Sequence, residues 1–223
     1  AGQERAYPYR QERALDSPRT IEVRGIHPLE KGSFMKKIIA LAALAVLPAA
    51  ANAELLASVE GFASFSEFDA GGNTEDSDGF GLRGRVNLPG TGLFARAEYL
   101  DEELDGGADY EETRIGGGYS TSLTPLVDVY GEAQYLDFDL GGENQDGYGA
   151  FVGLETNLPL VTLYGRAGLG WLDDADITEL LLGARIGVGL VGLFAEYRML
   201  TLEPDNGGDI DNDGFRVGLR VAF

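Results

Sequence analysis

Phe215-Arg216-Val217-Gly218-Leu219-Arg220-Val221-Ala222-Phe223, the last nine residues, decide the fold. Phe215, Val217, Leu219, Val221 and Phe223 share one parity, while Arg216, Gly218 and Arg220 hold the other and Ala222 ends it. Side chains alternate across a β-strand, so the two sets face opposite sides of a sheet. Working back from this segment, the same period of two recurs nine times. Phe80 to Leu88 alternates with Arg83 and Arg85, Leu93 to Tyr99 with Arg96 and Glu98, and Val127 to Tyr135 with Asp128 and Glu132. Val161 to Trp171 carries Arg166 on its polar side, Leu180 to Val188 carries Arg185, and Leu193 to Met199 carries Glu196 and Arg198. Segments 56–66, 112–121, which holds Arg114, and 147–157 complete a set of ten.

The links between segments alternate in kind. Those near Pro89 to Gly92, Ser122 to Pro125, Asn157 to Pro159 and Leu190 to Gly192 are short and mostly carry Pro or Gly. Those at 67–78, 101–112, 137–146, 173–179 and 203–213 are longer and hold 25 of the 32 acids that follow Ala53. Asp78-Gly79-Phe80, Asp146-Gly147-Tyr148 and Asp213-Gly214-Phe215 each close a long link and open a strand, and Leu93-Phe94-Ala95 returns as Leu193-Phe194-Ala195. The repeating unit is a hairpin. Five hairpins predict an all-β, closed, antiparallel up-and-down barrel of ten strands, with both ends of the domain at the short-turn end; eight strands is the alternative if one hairpin is mis-split.

The front of the chain is of another character. Met35-Lys36-Lys37, the apolar run Ile38 to Leu47, Pro48 and the small residues ending Ala51-Asn52-Ala53 have the three regions of a secretory signal peptide, with cleavage expected after Ala53. The apolar run is too short for a helical span, which needs about 20 residues. Residues 1–34 are basic, polar and aperiodic, and are expected to be a disordered upstream extension read in frame before a true start at Met35. Residues 54–223 form the barrel domain.

Of the 223 residues, 37 are acidic and 17 basic, with one His and no Cys. After Ala53 the chain has nine Arg, no Lys, no His and no Cys, for a formal charge of −23. That balance excludes a nucleic-acid binder, which needs cations for phosphates, and no disulfide is possible. All nine Arg fall on the polar parity, accompanied by Glu60, Glu98, Glu112, Asp128, Glu132, Glu155, Glu179 and Glu196. Near-neutral pairing suits an enclosed face, because buried charge must be paired. On the apolar parity Phe65, Phe80, Tyr99, Tyr135, Tyr148, Trp171, Tyr197 and Phe215 gather where strands meet the long links, in the manner of an interfacial girdle. The expectation is apolar side chains toward lipid and Arg toward the lumen. A soluble exported barrel with the faces reversed is the competing arrangement.

With its signal peptide, ten alternating segments and the terminal Arg220-Val221-Ala222-Phe223, the chain resembles the small bacterial outer-membrane β-barrels of the opacity and OmpA-membrane-domain type. That resemblance implies residence in the cell outer membrane, contact with its lipid and lipopolysaccharide, and recognition by the barrel-assembly machinery through Phe215, Val217, Leu219, Val221 and Phe223. It names no activity. Its enzymatic members use a His, which residues 54–223 lack, so no enzyme and no cofactor are expected. The adjacent acids Glu102 with Glu103 and Asp173 with Asp174 are a carboxylate inventory for acid-base chemistry, more simply read as solvated charge. Asp209, Asp211 and Asp213 before Gly214 imitate the first half of a calcium loop, but the twelfth position is Arg220, which makes a weak divalent-cation candidate.

A ten-strand cylinder is about 20 Å across between backbones. Luminal Arg83, Arg85, Arg96, Arg114, Arg166, Arg185, Arg198 and Arg220 with Glu98, Glu132 and Glu196 would fill most of it. Two roles follow: a rigid barrel with a structural or surface-interaction function and acidic extracellular loops, or a narrow cation-favouring, porin-like channel for ions or small solutes, fed by the −25 charge of the long links. Divalent cations bridging those links to lipopolysaccharide phosphates are a further expectation.

Overall fold

The computed structural model describes residues 56–205 and 207–223. The upstream extension, the signal peptide and its cleavage point lie outside the described residues. The chain forms β1 (Ala57–Ala70), β2 (Asn73–Asn87), β3 (Leu93–Leu104), β4 (Asp109–Thr124), β5 (Val127–Leu140), β6 (Glu143–Asn157), β7 (Thr162–Leu172), β8 (Ala175–Val188), β9 (Val191–Pro204) and β10 (Ile210–Ala222). Each pairs antiparallel with its sequence neighbours, and β10 returns to β1, so the ring closes at ten strands and the eight-strand alternative falls. At the seam Ala57 and Phe223 exchange N–H···O bonds of 2.9 Å in both directions. Closure leaves no strand edge.

The strands run 11 to 16 residues, most of them longer than the alternating segments read from the sequence. The difference lies in the long links, which are not loops. Residues 67–78 continue the β1–β2 ladder to a two-residue turn at Gly71-Gly72, and residues 137–146 continue β5–β6 to Gly141-Gly142. All four of these glycines have positive φ, as a type I′ hairpin turn requires at both central positions. Most of the acids expected in loops therefore sit on strand extensions, with Asp105, Asp173, Asp174, Asp205 and Asp209 in the links between them.

Outward and inward faces follow the expected parity through most of the barrel. Ile115, Val152, Leu163, Leu182, Val217 and Leu219 are exposed on the outside. Phe65, Phe215 and Tyr197 stand level across β1, β10 and β9, as do Tyr135, Tyr148 and Trp171 across β5, β6 and β7. In seven of the eight girdle positions the next outward residue toward the hairpin end is an acid: Glu67, Asp78, Asp101, Asp137, Asp146, Asp173 or Asp213; Tyr197 is followed instead by Met199.

Beyond that line the pattern inverts. In Tyr135-Leu136-Asp137-Phe138-Asp139-Leu140 the apolar members after Tyr135 point inward: Leu136 and Phe138 are buried, and Leu140 packs against them. Phe68, Leu100, Leu104, Tyr110, Ile177 and Leu200 join them from five other strands. Below the girdle the barrel is apolar outside and charged inside; above it, the arrangement is that of a water-soluble protein with an apolar interior. The sequence reading missed this cap because it took each strand to have one apolar parity throughout.

Candidate functional site: the ion-paired lumen

Beneath the cap lies a layer of charge. Arg83, Arg114, Arg166, Arg198 and Arg216 meet Glu98, Glu112, Glu132, Glu179 and Glu196, all ten buried. Arg166 donates to Glu179 at 2.6 Å and to Glu132 at 3.1 Å. Arg114 approaches Glu179 at 2.7 Å and donates to Glu112 two residues earlier on its own strand. Arg83 reaches Glu196 at 2.5 Å and Glu98 at 3.2 Å, and Arg216 reaches Glu98 at 2.9 Å. Charges this enclosed persist because each has an opposite partner, and removing one partner strands the other.

Aromatic faces fill the spaces between guanidiniums. The Arg166 guanidinium carbon lies 5.0 Å from the Phe151 ring centroid, and that of Arg216 5.2 Å from Phe62, an arrangement in which the ring quadrupole attracts the cation. These rings need room, and luminal glycines of the neighbouring strands give it. A Cβ at Gly81 would stand 2.2 Å from the Phe62 ring, and one at Gly168 2.1 Å from that of Phe151.

Toward the short-turn end the packing loosens. Arg85, Arg185 and Arg220 face Glu60 and Glu155 there, their side chains about a fifth exposed. Arg96 bridges the two zones through Glu98 at 3.0 Å and Glu132 at 3.5 Å. Every Arg and Glu predicted for the lumen stands on the inward face. Arg185 and Arg220 pair with Glu155 and Glu60, not with the Glu98, Glu132 and Glu196 expected for them. Arg216, Glu112 and Glu179, read only as members of the polar parity, are at the centre.

The remaining candidates fare differently. Glu102 and Glu103 point to opposite faces of β3, so they form no pair. Glu102 is buried and accepts from Ser66 at 3.0 Å and Ser77 at 3.4 Å. Asp173 and Asp174 are exposed in the β7–β8 turn. Asp209, Asp211 and Asp213 succeed one another along the outer face, Asp211 accepting from Thr201 at 2.7 Å. Among the described residues no group of three or more His, Cys, Asp or Glu is placed to hold a metal ion. Phe215, Val217, Leu219 and Val221 are exposed along the outside of β10, beside the seam.

No family model matches the sequence, and no curated protein matches it. Among solved structures, Neisserial surface protein A is 12% identical over 75% of this chain and 97% of its own, with a TM-score of 0.45. An outer membrane channel from Pseudomonas putida F1 is 11% identical over 80% and 100%, TM-score 0.44. The outer membrane protease OmpT from Escherichia coli is 12% identical over 75% and 96%, TM-score 0.44. Likeness at this level assigns no activity to this chain.

Proposed function

We propose that this protein is an integral outer-membrane barrel, non-enzymatic, with a structural or surface-interaction role and a sealed lumen. The observation that carries the reading is the inversion of parity at the aromatic girdle. Apolar side chains face outward mainly below that line, and at seven of its eight positions an acid comes immediately above it, which is what a boundary between hydrocarbon and water demands. The ionic layer and the apolar cap fill the cylinder in series, which supports a plug in preference to the narrow cation-favouring channel. The absence of His, Cys and Lys after Ala53 supports a non-catalytic role.

On this reading the signal at 35–53 exports the chain and is removed after Ala53. The outward row Phe215, Val217, Leu219, Val221 and Phe223 addresses the barrel-assembly machinery, and the acidic extensions stand outside the cell among lipopolysaccharide phosphates, bridged by divalent cations. Membrane fractionation with heat-dependent gel migration tests the placement, and recovery in the soluble periplasmic fraction refutes it. Planar-bilayer recording of pure protein tests the seal: silence is expected, and stepwise conductance would establish the channel.

A further inference from the structure

The short-turn mouth holds the space that the bracing network leaves unfilled, a cavity of about 180 Å³, room for about six waters at liquid density. Its wall carries six Arg against three acids, Glu60, Asp128 and Glu155. Two of the Arg, Arg83 and Arg166, belong to the deep layer, and Arg96 bridges it to this zone. The other three, Arg85, Arg185 and Arg220, arrive from β2, β8 and β10 and are held slackly. Arg85 stands 4.0 Å from Glu155, Arg185 4.0 Å from Glu60, and Arg220 3.7 Å from Glu60; only Arg185 with Glu155, at 3.2 Å, closes to hydrogen-bond distance. Asp128 is already engaged by Ser122 at 2.5 Å and Asn157 at 2.9 Å.

Two of these cations are seated by rings as well as by carboxylates. The Arg85 guanidinium carbon lies 3.9 Å from the Phe94 centroid and that of Arg185 5.5 Å from Tyr164. Packing on a ring face restrains a guanidinium while leaving its N–H edge available. The Nε atoms of Arg96 and Arg220 are buried and make no hydrogen bond. Apart from the 3.0 Å bond that Arg85 Nε gives Asn87 Oδ1, donors from three strands thus surround a space several waters in size with little to accept from them.

We propose that this vestibule is a binding site for a small phosphate-type oxyanion, inorganic phosphate or a soluble phosphomonoester, taken up from the short-turn side. A tetrahedral dianion offers enough acceptor oxygens to satisfy guanidinium forks converging from three directions, whereas a carboxylate offers two. The ionic layer and cap close the far side, so the site captures an anion without passing it on.

The test uses the full chain, purified from membranes in a sugar detergent, with inorganic phosphate titrated by calorimetry at constant ionic strength. Saturable one-site binding is expected. Losing a charge-assisted donor in Arg85→Gln or Arg185→Gln should weaken it about tenfold, and Glu60→Gln, which removes a competing negative charge, should tighten it. Heated and unheated gel migration reports whether each variant is folded; if one Arg variant fails to fold, the other and Glu60→Gln decide. Competition by glycerol phosphate supports a solute site. Binding of a short-chain phosphatidic acid without binding of inorganic phosphate overturns it in favour of a lipid headgroup, and chloride matching phosphate at equal concentration, or unchanged affinity in the Arg variants, overturns it outright.

Discussion

Arg198 on β9 donates from Nη1 to Glu112 Oε2 on β4 at 2.8 Å, and the two strands stand five apart in a ring of ten, so the pair spans the barrel's full diameter. Arg114 on β4 to Glu179 on β8 and Arg216 on β10 to Glu98 on β3 are further chords through the same layer. Such struts resist the flattening to which a cylinder held only by neighbouring ladders is open.

Glu112 accepts from three donors, Tyr110, Arg114 and Arg198, and its loss leaves both guanidiniums to share Glu179 with Arg166, whereas loss of Arg198 leaves Glu112 with Arg114 and Glu179 with Arg114 and Arg166. Glu112→Gln should therefore cost about 3 kcal/mol or more, in the range for breaking a buried ion pair, and Arg198→Met distinctly less. Urea unfolding of the reconstituted barrel measures both; equal costs would contradict the asymmetry.

Gly168→Ala drives a methyl into the Phe151 ring and to 2.6 Å from the Ala150 carbonyl, while Gly84, on the outer face, has nothing within 4 Å of its would-be Cβ. The first should destabilise by about 1–3 kcal/mol as overpacking does. The second should be neutral or gain up to about 1 kcal/mol from reduced chain freedom. Thermal gel-shift midpoints of the two variants should move apart.

Val152 lies in the outward apolar belt and Asp139 on an outward extension. Val152→Arg should cost about 2–4 kcal/mol if it sits near the bilayer midplane. Asp139→Arg should carry no such penalty, since it relieves the carboxylate of Glu111 directly opposite. A small cost for Val152→Arg in lipid vesicles would argue against hydrocarbon at that level.

Like charges face each other repeatedly on the extensions: Glu67 with both Asp76 and Asp213, Asp101 with Glu111, Asp137 with Asp146 and Asp176 with Glu203. Opposed carboxylates destabilise a sheet, and divalent cations shared with lipopolysaccharide would offset this. Chelator should lower the melting temperature in lipopolysaccharide membranes but not in a zwitterionic bilayer. An identical response in the two membranes would count against bridging.

The ten segments, their parity and the inward Arg were legible because a barrel wall with an apolar outside and a charged inside forces strict alternation on each strand. Phe215 to Phe223 reads without ambiguity for that reason. The extensions were not legible as strands. Past Tyr99 the outward positions Asp101 and Glu103 are solvated while Leu100 and Leu104 turn inward, so a reader following one parity sees the signal end where it has reversed. Which Glu meets which Arg was also hidden. Parity tells a side chain which way to face, but chords such as that from Arg198 to Glu112 depend on ring closure and on where bulky neighbours such as Phe151 leave space.

The β1–β10 seam governs how the molecule comes into being. Ser58 must find Ala222, about 160 positions later, before the first strand has both its partners, and contacts so remote in the chain close slowly. An arc of seven or eight strands would leave two margins of unpaired N–H and C=O groups, so it is no resting place. Synthesis must reach β10 before the clasp can shut, and removal of that strand would leave an unfastened ribbon, not a narrower cylinder.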